Sequence, residues 1–289
     1  MTNGPGPTVR RRQLGKELRR LREGAGKTIA EAAQWVGIKS PTVSKIENGR
    51  QAIRPTNVRL LLQLYGIGAP EADTLIRLAG EANQRGWWAS YGDTVPDWFR
   101  NFVGLESDAS EIDGYDSELV PGQLQTAEYA EAIIMAAHPN TTQTELTRLV
   151  TFRRQRQERL VGNTPPRLHF VLNEAVLRRP VGGPEAFARQ LDYLAEMARL
   201  PHVDLQVLPF STGPHAAMGQ TFTVVRFPGD EAGLDFAYLE NDRGALYLER
   251  PADVERYQTI FRRLAAASLT SRETREFLAK VSPETGERE

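Results

Sequence analysis

The sequence of 289 residues contains no cysteine. This excludes a disulfide scaffold, cysteine-ligated zinc and a cysteine nucleophile. Long apolar runs are also missing, because no stretch approaches the roughly 18 apolar residues that span a bilayer. The amino terminus lacks the apolar core of a signal peptide. We therefore expect a cytoplasmic protein with no membrane association.

The short motifs of common enzyme folds are absent as well. The sequence has no G-x-S-x-G, H-E-x-x-H, G-x-x-x-x-G-K-[ST] or G-x-G-x-x-G pattern. Its four histidines, His138, His169, His202 and His215, lack the spacing of metal ligands. We therefore expect no metal, no cofactor and no enzymatic activity. A ligand surface around His215 and Met218, in a loop rich in glycine and proline, is the alternative.

Acidic residues are scarce at the amino terminus, although the net charge of the chain is only −1. Residues 1–65 carry 13 lysines and arginines against four acids, whereas the remaining residues carry 23 against 33. A basic segment on an acidic body favours a nucleic-acid partner for that segment, with a solvated basic surface as the alternative. Arg10, Arg11 and Arg12 are predicted either as a basic arm on the nucleic acid or as a solvated tail.

The length of the chain indicates two domains. Helical periodicities over residues 1–84 predict an all-α domain of five helices. Residues 106–282 mix alternating and helical patterns, which predicts a mixed α/β domain. Between the two domains, residues 85–105 form an aromatic-rich join, and residues 283–289 form a polar tail.

Capping and turn residues delimit the second and third helices of the first domain. Thr28 is a good cap for the second helix, and Gly37 suits the left-handed position that follows a helix. The third helix is predicted to begin with Ser40 as its cap and Pro41 at its first position. A helix, a tight glycine turn and a second helix form the helix-turn-helix pattern of DNA-binding domains.

The stretch from Thr28 to Arg50, which ends in S-K-I-E-N-G-R, resembles the lambda-repressor-like (XRE) family of helix-turn-helix proteins. The small residue Ala33, the turn residue Gly37 and the inward-facing Ile46 fit the same pattern. The resemblance covers residues 9–66. It implies a transcription regulator that binds double-stranded DNA as a homodimer, because one domain of this size buries too little surface for tight specific binding.

The resemblance also implies roles for individual residues. The side chains that it places at base edges in the major groove are Ser40, Pro41 and Lys45. The residues that it places at phosphates are Thr28, Asn48, Arg50 and Arg54. Lys45 is the only charged side chain of the first group, and its ammonium can donate to guanine O6 and N7.

The join is unusually rich in aromatic residues. Six of the 16 residues from Trp87 to Phe102 are aromatic, against 8% of the whole chain. This density favours packing between the domains, because aromatic residues are more often core than surface. A surface for a protein partner that includes Trp98 and Phe102 is the alternative.

Alternating residues in the second domain predict an extended segment over 111–120 and a strand over 167–177, and Ser271 is predicted to cap a helix near the end. A helix over 144–161 carries a cluster of arginines, Arg148, Arg153, Arg154, Arg156 and Arg159. We predict a solvated face that pairs with the excess acids of this domain, with a second DNA or partner contact as the alternative.

Two segments of the second domain carry a further resemblance. The run L-V-P-G-Q-L-Q-T over 119–126 and the segment from Leu208 to Phe222 are similar to a large antitoxin-like domain that follows lambda-repressor-like heads in many actinobacterial regulators. This resemblance implies regulation by a small partner protein. We therefore expect a dimeric repressor with a partner-binding second domain. The alternatives are a small-molecule effector near the loop over 209–220 and an enzyme with a DNA-binding head.

Overall fold

The computed structural model describes residues 7–84 and 86–281, which divide into two compact units. The first unit extends to Gly92 and includes Asp97–Asp108, and the second comprises Asp93–Pro96 and the residues from Ala109 onward. The polar tail predicted over 283–289 lies outside the described residues. The expected fold class, a helical amino-terminal region followed by a mixed α/β domain, is confirmed.

Five helices of the first unit match those predicted from sequence. They are α1 (Pro7–Gly24), α2 (Ile29–Val36), α3 (Ser40–Glu47), α4 (Pro55–Tyr65) and α5 (Glu71–Ala82). Apolar side chains from all five meet in one core, which includes Leu14, Leu18, Ala32, Ile46, Val58, Leu62 and Ala79. A short 3-10 turn over Trp87–Tyr91 precedes a further helix, α6 (Asp97–Glu106).

Two glycines allow α1 to approach the carboxyl end of α3. A Cβ at Gly15 would lie 2.4 Å from the carbonyl oxygen of Ile46 and 2.8 Å from that of Glu47. Gly49 has a left-handed φ of +68°, and a Cβ there would lie 2.8 Å from the Cα of Arg12. Backbone packing this close leaves no room for a side chain, so both glycines keep α1 against the end of α3.

The helix α6 packs on α1 within the first unit. A Cβ at Gly104 would lie 2.3 Å from the hydroxyl oxygen of Thr8, whose side chain is buried. Phe102 is also buried and stacks on Phe99 with ring centroids 6.0 Å apart. Much of the aromatic join is therefore a further helix of the first unit.

The second unit is built on a six-stranded sheet. Its strands are β1 (Glu111–Asp116), β2 (Arg167–Asn173), β3 (Val203–Leu208), β4 (Phe222–Arg226), β5 (Phe236–Asn241) and β6 (Gly244–Leu248). Its helices are α7 (Ala127–Ala137), α8 (Gln143–Gln157), α9 (Pro184–Met197), α10 (Pro251–Ala267) and α11 (Ser271–Val281).

The strand order in the sheet is β3-β2-β1-β4-β5-β6. β1, β2 and β3 are parallel, whereas β4, β5 and β6 continue the sheet in antiparallel pairs. On one face, Tyr115, Val171 and Val224 share a core with Phe261 of α10. Because β4 is antiparallel to β1 and β5 is antiparallel to β4, the carboxyl ends of the three parallel strands lie on the same side of the sheet as the start of β4 and the end of β5. We call this side the carboxyl edge.

Two strands of the parallel half are shorter than their alternating patterns predict. The segment over 111–120 is a strand only to Asp116, and the segment over 167–177 only to Asn173. The side chain of Asn173 accepts a hydrogen bond of 3.0 Å from the N–H of Ala175, where a 3-10 turn begins. A side chain that bonds its own backbone competes with the ladder, so β2 ends there.

Thr270, not the predicted Ser271, caps the last helix. Ser271 is the first residue of α11, and its hydroxyl bonds the carboxylate of Asp204. The hydroxyl oxygen of Thr270 accepts from the N–H of Glu273 at 3.3 Å, and the Glu273 carboxylate accepts from the N–H of Thr270 at 2.8 Å. Thr270 and Glu273 thus form a capping box one residue earlier than expected.

We expect Gly15→Ala to destabilise the first unit, because the added methyl group would meet backbone oxygens of α3. The expected loss in free energy of unfolding is about 1–3 kcal/mol, which is typical of overpacking. Denaturant unfolding of the full chain, followed by circular dichroism, measures it. Gly24→Ala is the matched control, since nothing lies within 4 Å of a Cβ there. Equal stability of the two variants would contradict close packing of α1 on α3.

Candidate nucleic-acid interface

Capping residues set α2 and α3 at a tight turn. Thr28 caps α2 as predicted: its hydroxyl oxygen accepts from the N–H of Glu31 at 3.2 Å, and the Glu31 carboxylate accepts from the N–H of Thr28 at 2.8 Å. Gly37 follows α2 with a left-handed φ of +69°, as predicted. Its N–H and that of Ile38 bond the last carbonyl groups of α2. The chain therefore turns sharply between α2 and α3.

Ser40 does not cap α3, in contrast to the prediction. Lys39 holds the cap position with an extended backbone, and its side chain makes no capping hydrogen bond. Ser40 and Pro41 are the first two helical residues, and the ring of Pro41 fixes φ where no helical N–H is needed. The start of α3 is therefore set by proline rather than by a hydroxyl group.

Burial divides α3 into an inward and an outward face. Val43 and Ile46 are buried, as expected, whereas Ser40, Pro41 and Lys45 are exposed. At about 100° per residue, Pro41 and Lys45 lie roughly 40° apart around the helix, and Ser40 lies about 140° from Lys45. Pro41 and Lys45 therefore share the outward face, and Ser40 lies to one side of it.

The four residues predicted at phosphates are all exposed: Thr28, Asn48, Arg50 and Arg54. Asn48 follows α3, and its amide donates to the carbonyl oxygen of Ser44 at 2.8 Å. Gly49 ends α3 in the left-handed conformation that lets the chain turn away. Arg54 then precedes the first residue of α4. The segment after α3 thus presents two guanidinium groups to solvent.

At Thr28, a carboxylate already stands where a phosphate would approach. Besides the capping bonds, the hydroxyl of Thr28 donates to the Glu31 carboxylate at 2.7 Å. The bonds from the backbone and the hydroxyl of Thr28 lower the pKa of Glu31, so the carboxylate is ionised at neutral pH. A phosphate contact at the start of α2 therefore requires Glu31 to turn away.

A buried ion pair that the sequence analysis missed connects α3 to α1. Nε of Arg22 donates to Glu47 at 2.6 Å, Nη2 donates to the same carboxylate at 3.0 Å, and Nη1 donates to the carbonyl oxygen of Lys27 at 2.8 Å. The bond to Glu47 raises the pKa of Arg22. Burial, together with the charge of Glu47, raises the pKa of Tyr65 to about 12. Glu47 lies within the recognised motif, but no spacing rule connects it to Arg22.

Neither alternative for the arginine triplet is correct. Arg10, Arg11 and Arg12 belong to α1 and contribute to packing. Arg10 pairs with Glu81 at 3.1 Å, Arg11 donates to the carbonyl oxygen of Ala82 at 3.2 Å, and Arg12 is only 4% exposed. Burial lowers the pKa of Arg11. The triplet is neither a free arm nor a solvated tail, because two of its members bind the end of α5.

The arginines of α8 only partly form the expected solvated face. Arg148 pairs with Asp93 at 2.5 Å, which is the expected kind of acid partner. Arg153 points inward and donates to the side-chain oxygen of Gln125. Burial and the nearby charge of Arg156 lower the pKa of Arg153 to about 10. The prediction is therefore wrong for Arg153, which holds the segment before α7.

Ionisable groups also gather at the carboxyl edge of the sheet. Burial and the charge of Glu240 raise the pKa of Asp116, at the end of β1, to about 7. Burial raises the pKa of Glu240, whose carboxylate accepts from the hydroxyl of Tyr238 at 2.9 Å. The charges of Arg156 and Arg153 oppose that shift. Perturbed carboxyl groups at such an edge are typical of ligand sites in α/β proteins.

The loop over 209–220 brings His215 to the same edge. Its Nε2 lies 3.3 Å from the hydroxyl oxygen of Tyr115, and its Nδ1 accepts from the N–H of Ala217 at 3.3 Å. An accepting Nδ1 carries no proton, so Nε2 is the donor to Tyr115. Burial lowers the pKa of His215, which favours this neutral form. A groove of about 550 Å³ lies beside the loop, lined by Ala216 and by residues of α10.

The four residues predicted as a partner or ligand surface fall in different units. Trp98 and Phe102 lie in α6, and His215 and Met218 lie in the loop of the second unit. Phe102 is 3% exposed, so it is a packing residue and not a surface residue. Trp98 is partly buried against Phe99, with ring centroids 5.8 Å apart. Met218 is 67% exposed.

Residues 7–84 and 86–281 contain no helix that is both long and apolar enough to cross a membrane. Within the same ranges, no group of three or more histidines and acids could hold a metal ion.

Two family models match the chain. Residues 13–75 match the model described as a helix-turn-helix domain, and residues 99–280 match the model described as a domain of unknown function, DUF5753. No curated protein and no solved structure matches it. The second model covers more than half of the chain. The chain therefore belongs to the DUF5753 family, and its helix-turn-helix domain makes it a DNA-binding regulator.

Proposed function

We propose that the protein is a sequence-specific repressor of transcription that binds double-stranded DNA as a homodimer. One observation carries the proposal: α3 has an exposed face with Lys45 on it, and the buried pair of Arg22 and Glu47 fixes the orientation of that helix. Specific recognition needs side chains held rigidly against base edges. The resemblance to lambda-repressor-like proteins and the basic charge of residues 1–65 support it.

In this proposal one set of exposed residues contacts bases and the other contacts phosphates. Lys45 reads a guanine edge, with Pro41 beside it on the outward face and Ser40 at its flank. Asn48, Arg50 and Arg54 bond phosphates on either side of the groove and fix the register of the domain on the duplex.

We propose that the second unit regulates this activity by binding, not by catalysis, and that its partner is a small protein. The resemblance of its sequence to antitoxin-like domains supports this role. A small-molecule effector is the second candidate. It is favoured by the carboxyl edge, where Asp116 and Glu240 have raised pKa values and Glu240 is in contact with solvent.

Lys45→Ala tests base reading. If Lys45 contacts a guanine, the variant should lose about 1–3 kcal/mol on the cognate site and relax the preference at one base position. Binding-site selection with the variant measures that preference, and titration on cognate and random DNA measures affinity. An equal loss on both DNAs would reassign Lys45 to a phosphate. An unchanged selected motif would reject a specifying role.

Arg50→Ala tests the phosphate contacts. The variant should bind all sequences more weakly, and the slope of log affinity against log salt should become shallower by about one unit, because one phosphate contact is lost. Titrations at several salt concentrations measure the slope. The control is Arg256→Ala, which changes an arginine of the second unit. A slope equal to that of the control would remove Arg50 from the contacts.

The raised pKa of Asp116 predicts a pH dependence of stability. Because the folded chain holds this proton more tightly than the unfolded chain, the stabilisation is complete below about pH 4 and is lost as the pH rises through about 7. Asp116→Asn should flatten this part of the curve of melting temperature against pH. The exposed Asp73→Asn is the control. Superimposable curves for the two variants would mean that the pKa of Asp116 is not raised in the folded chain. That result would weaken the effector candidate.

A further inference from the structure

A groove lies beside α10 in the second unit. Its volume is about 550 Å³. Ala216 of the loop over 209–220 forms one wall, and the remaining lining residues belong to α10: Ala252, Glu255, Arg256, Thr259, Ile260 and Arg263. Pockets for small molecules have volumes of roughly 300–1,000 Å³ and combine apolar surface with a few polar groups. Both properties fit this groove, so the side chains that line it indicate what it binds.

The wall that Ala216 forms is held in place on both sides. Its neighbour Ala217 is buried in the core that the sheet shares with α10. Further along the loop, the hydroxyl of Tyr257 in α10 donates to the side-chain oxygen of Gln220 at 3.4 Å. The groove is therefore formed before a ligand arrives. A preformed site binds more tightly than a mobile one, because less conformational freedom is lost on binding.

Two exposed arginines line the groove, Arg256 and Arg263. Among the residues that the structure describes, neither has an ion pair or a side-chain hydrogen bond. The nearby carboxylate of Asp253 is already paired with Arg250 at 2.7 Å. A guanidinium group carries a permanent positive charge, and its planar fork bonds carboxylates and phosphates. Both arginines are therefore available to an anion.

The helix places a hydroxyl group between the two arginines. Arg256 and Arg263 lie roughly 20° apart around α10 and about 10 Å apart along its axis, and Thr259 lies midway along that distance. The hydroxyl oxygen of Thr259 accepts from Nη2 of Arg262 at 3.0 Å, so its proton is available to another acceptor. The carboxylate of Glu255 lies at one end of the groove and repels an anion there. The favoured place for an anionic group is therefore over Thr259.

We propose that this groove binds a small organic anion, a carboxylate or a phosphate monoester with an apolar body. The inference names a ligand class for the small-molecule effector, the second candidate in the proposed function, and rests on that candidate. Arg256 and Arg263 bond the anionic group over Thr259. The apolar body lies on Ile260 and Ala216, which removes apolar surface from water.

Titration calorimetry of the full chain with probes of one carbon chain length tests the proposal. Hexanoate and hexyl phosphate carry the anionic group, hexan-1-ol lacks a charge, and hexylamine reverses it. At least one anion should bind at millimolar concentration, and the one that binds more tightly distinguishes a carboxylate from a phosphate ligand. Binding by neither anion, or equal binding of hexan-1-ol or hexylamine, would overturn the proposal. Inorganic phosphate that binds as tightly as both anions would show an adventitious ion only.

Variants of the lining residues locate the binding in the groove. Arg263→Gln should weaken binding of the anion about tenfold or more, as expected for the loss of a hydrogen bond between charged groups. Ala216→Asp should weaken it as well, because the new carboxylate repels the ligand, whereas Ala216→Ser should not. Arg275→Gln, which changes an exposed arginine of α11 outside the groove, is the matched control. Unchanged binding in folded Arg263→Gln and Ala216→Asp would overturn the proposal.

DNA titrations with and without the bound anion separate this proposal from the proposed function. If the anion binds and Arg263→Gln loses it, the groove is a binding site even when the two DNA titrations coincide. Coincident titrations would reject the effector role in the proposed function. If the unmodified chain prefers one DNA sequence while neither anion binds, the groove is rejected and the DNA-binding proposal stands.

Discussion

The bidentate hydrogen bond between Arg22 and Glu47 is the constraint on which the geometry of the helix-turn-helix depends. It joins the last turn of α1 to the last turn of α3, and both side chains are almost fully buried. Removing one partner would leave the other charge buried alone, which is strongly unfavourable. Gly15 brings the same two helices into backbone contact. The orientation of α3 is therefore set from inside the unit, and its outward side chains contribute little to it.

Local signals in the sequence predicted local structure well. Thr28 and Gly37 act within one turn of their helix, so neighbouring residues were sufficient to place α2 and the turn. Ser40 was misplaced by one position, because a proline can begin a helix without a hydroxyl cap. The ion pair of Arg22 and Glu47 could not be predicted, since it depends on how α1 packs on α3. The helical periodicity of the sequence does not reveal that packing.

In the second unit, too, local elements could be predicted from the sequence, whereas contacts between distant segments could not. Alternation predicted β1 and β2, but the order of the strands follows from packing and not from any one segment. That order brings Asp116 and Glu240, which are far apart in the sequence, to one edge of the sheet. The arginines of α8 looked like a surface stripe in sequence, whereas Arg153 points to Gln125 because the segment over 120–125 lies against α8.

Gly49 is restricted twice, by its left-handed backbone and by its contact with Arg12. Substitution at this position is therefore strongly disfavoured. The same holds for the buried pair of Arg22 and Glu47. Lys45 is exposed and is under no comparable restraint. Under the proposed reading of base edges, substitution at this position can change the preferred operator while the scaffold is inherited unchanged, so related regulators can diverge in target without renewed selection for folding.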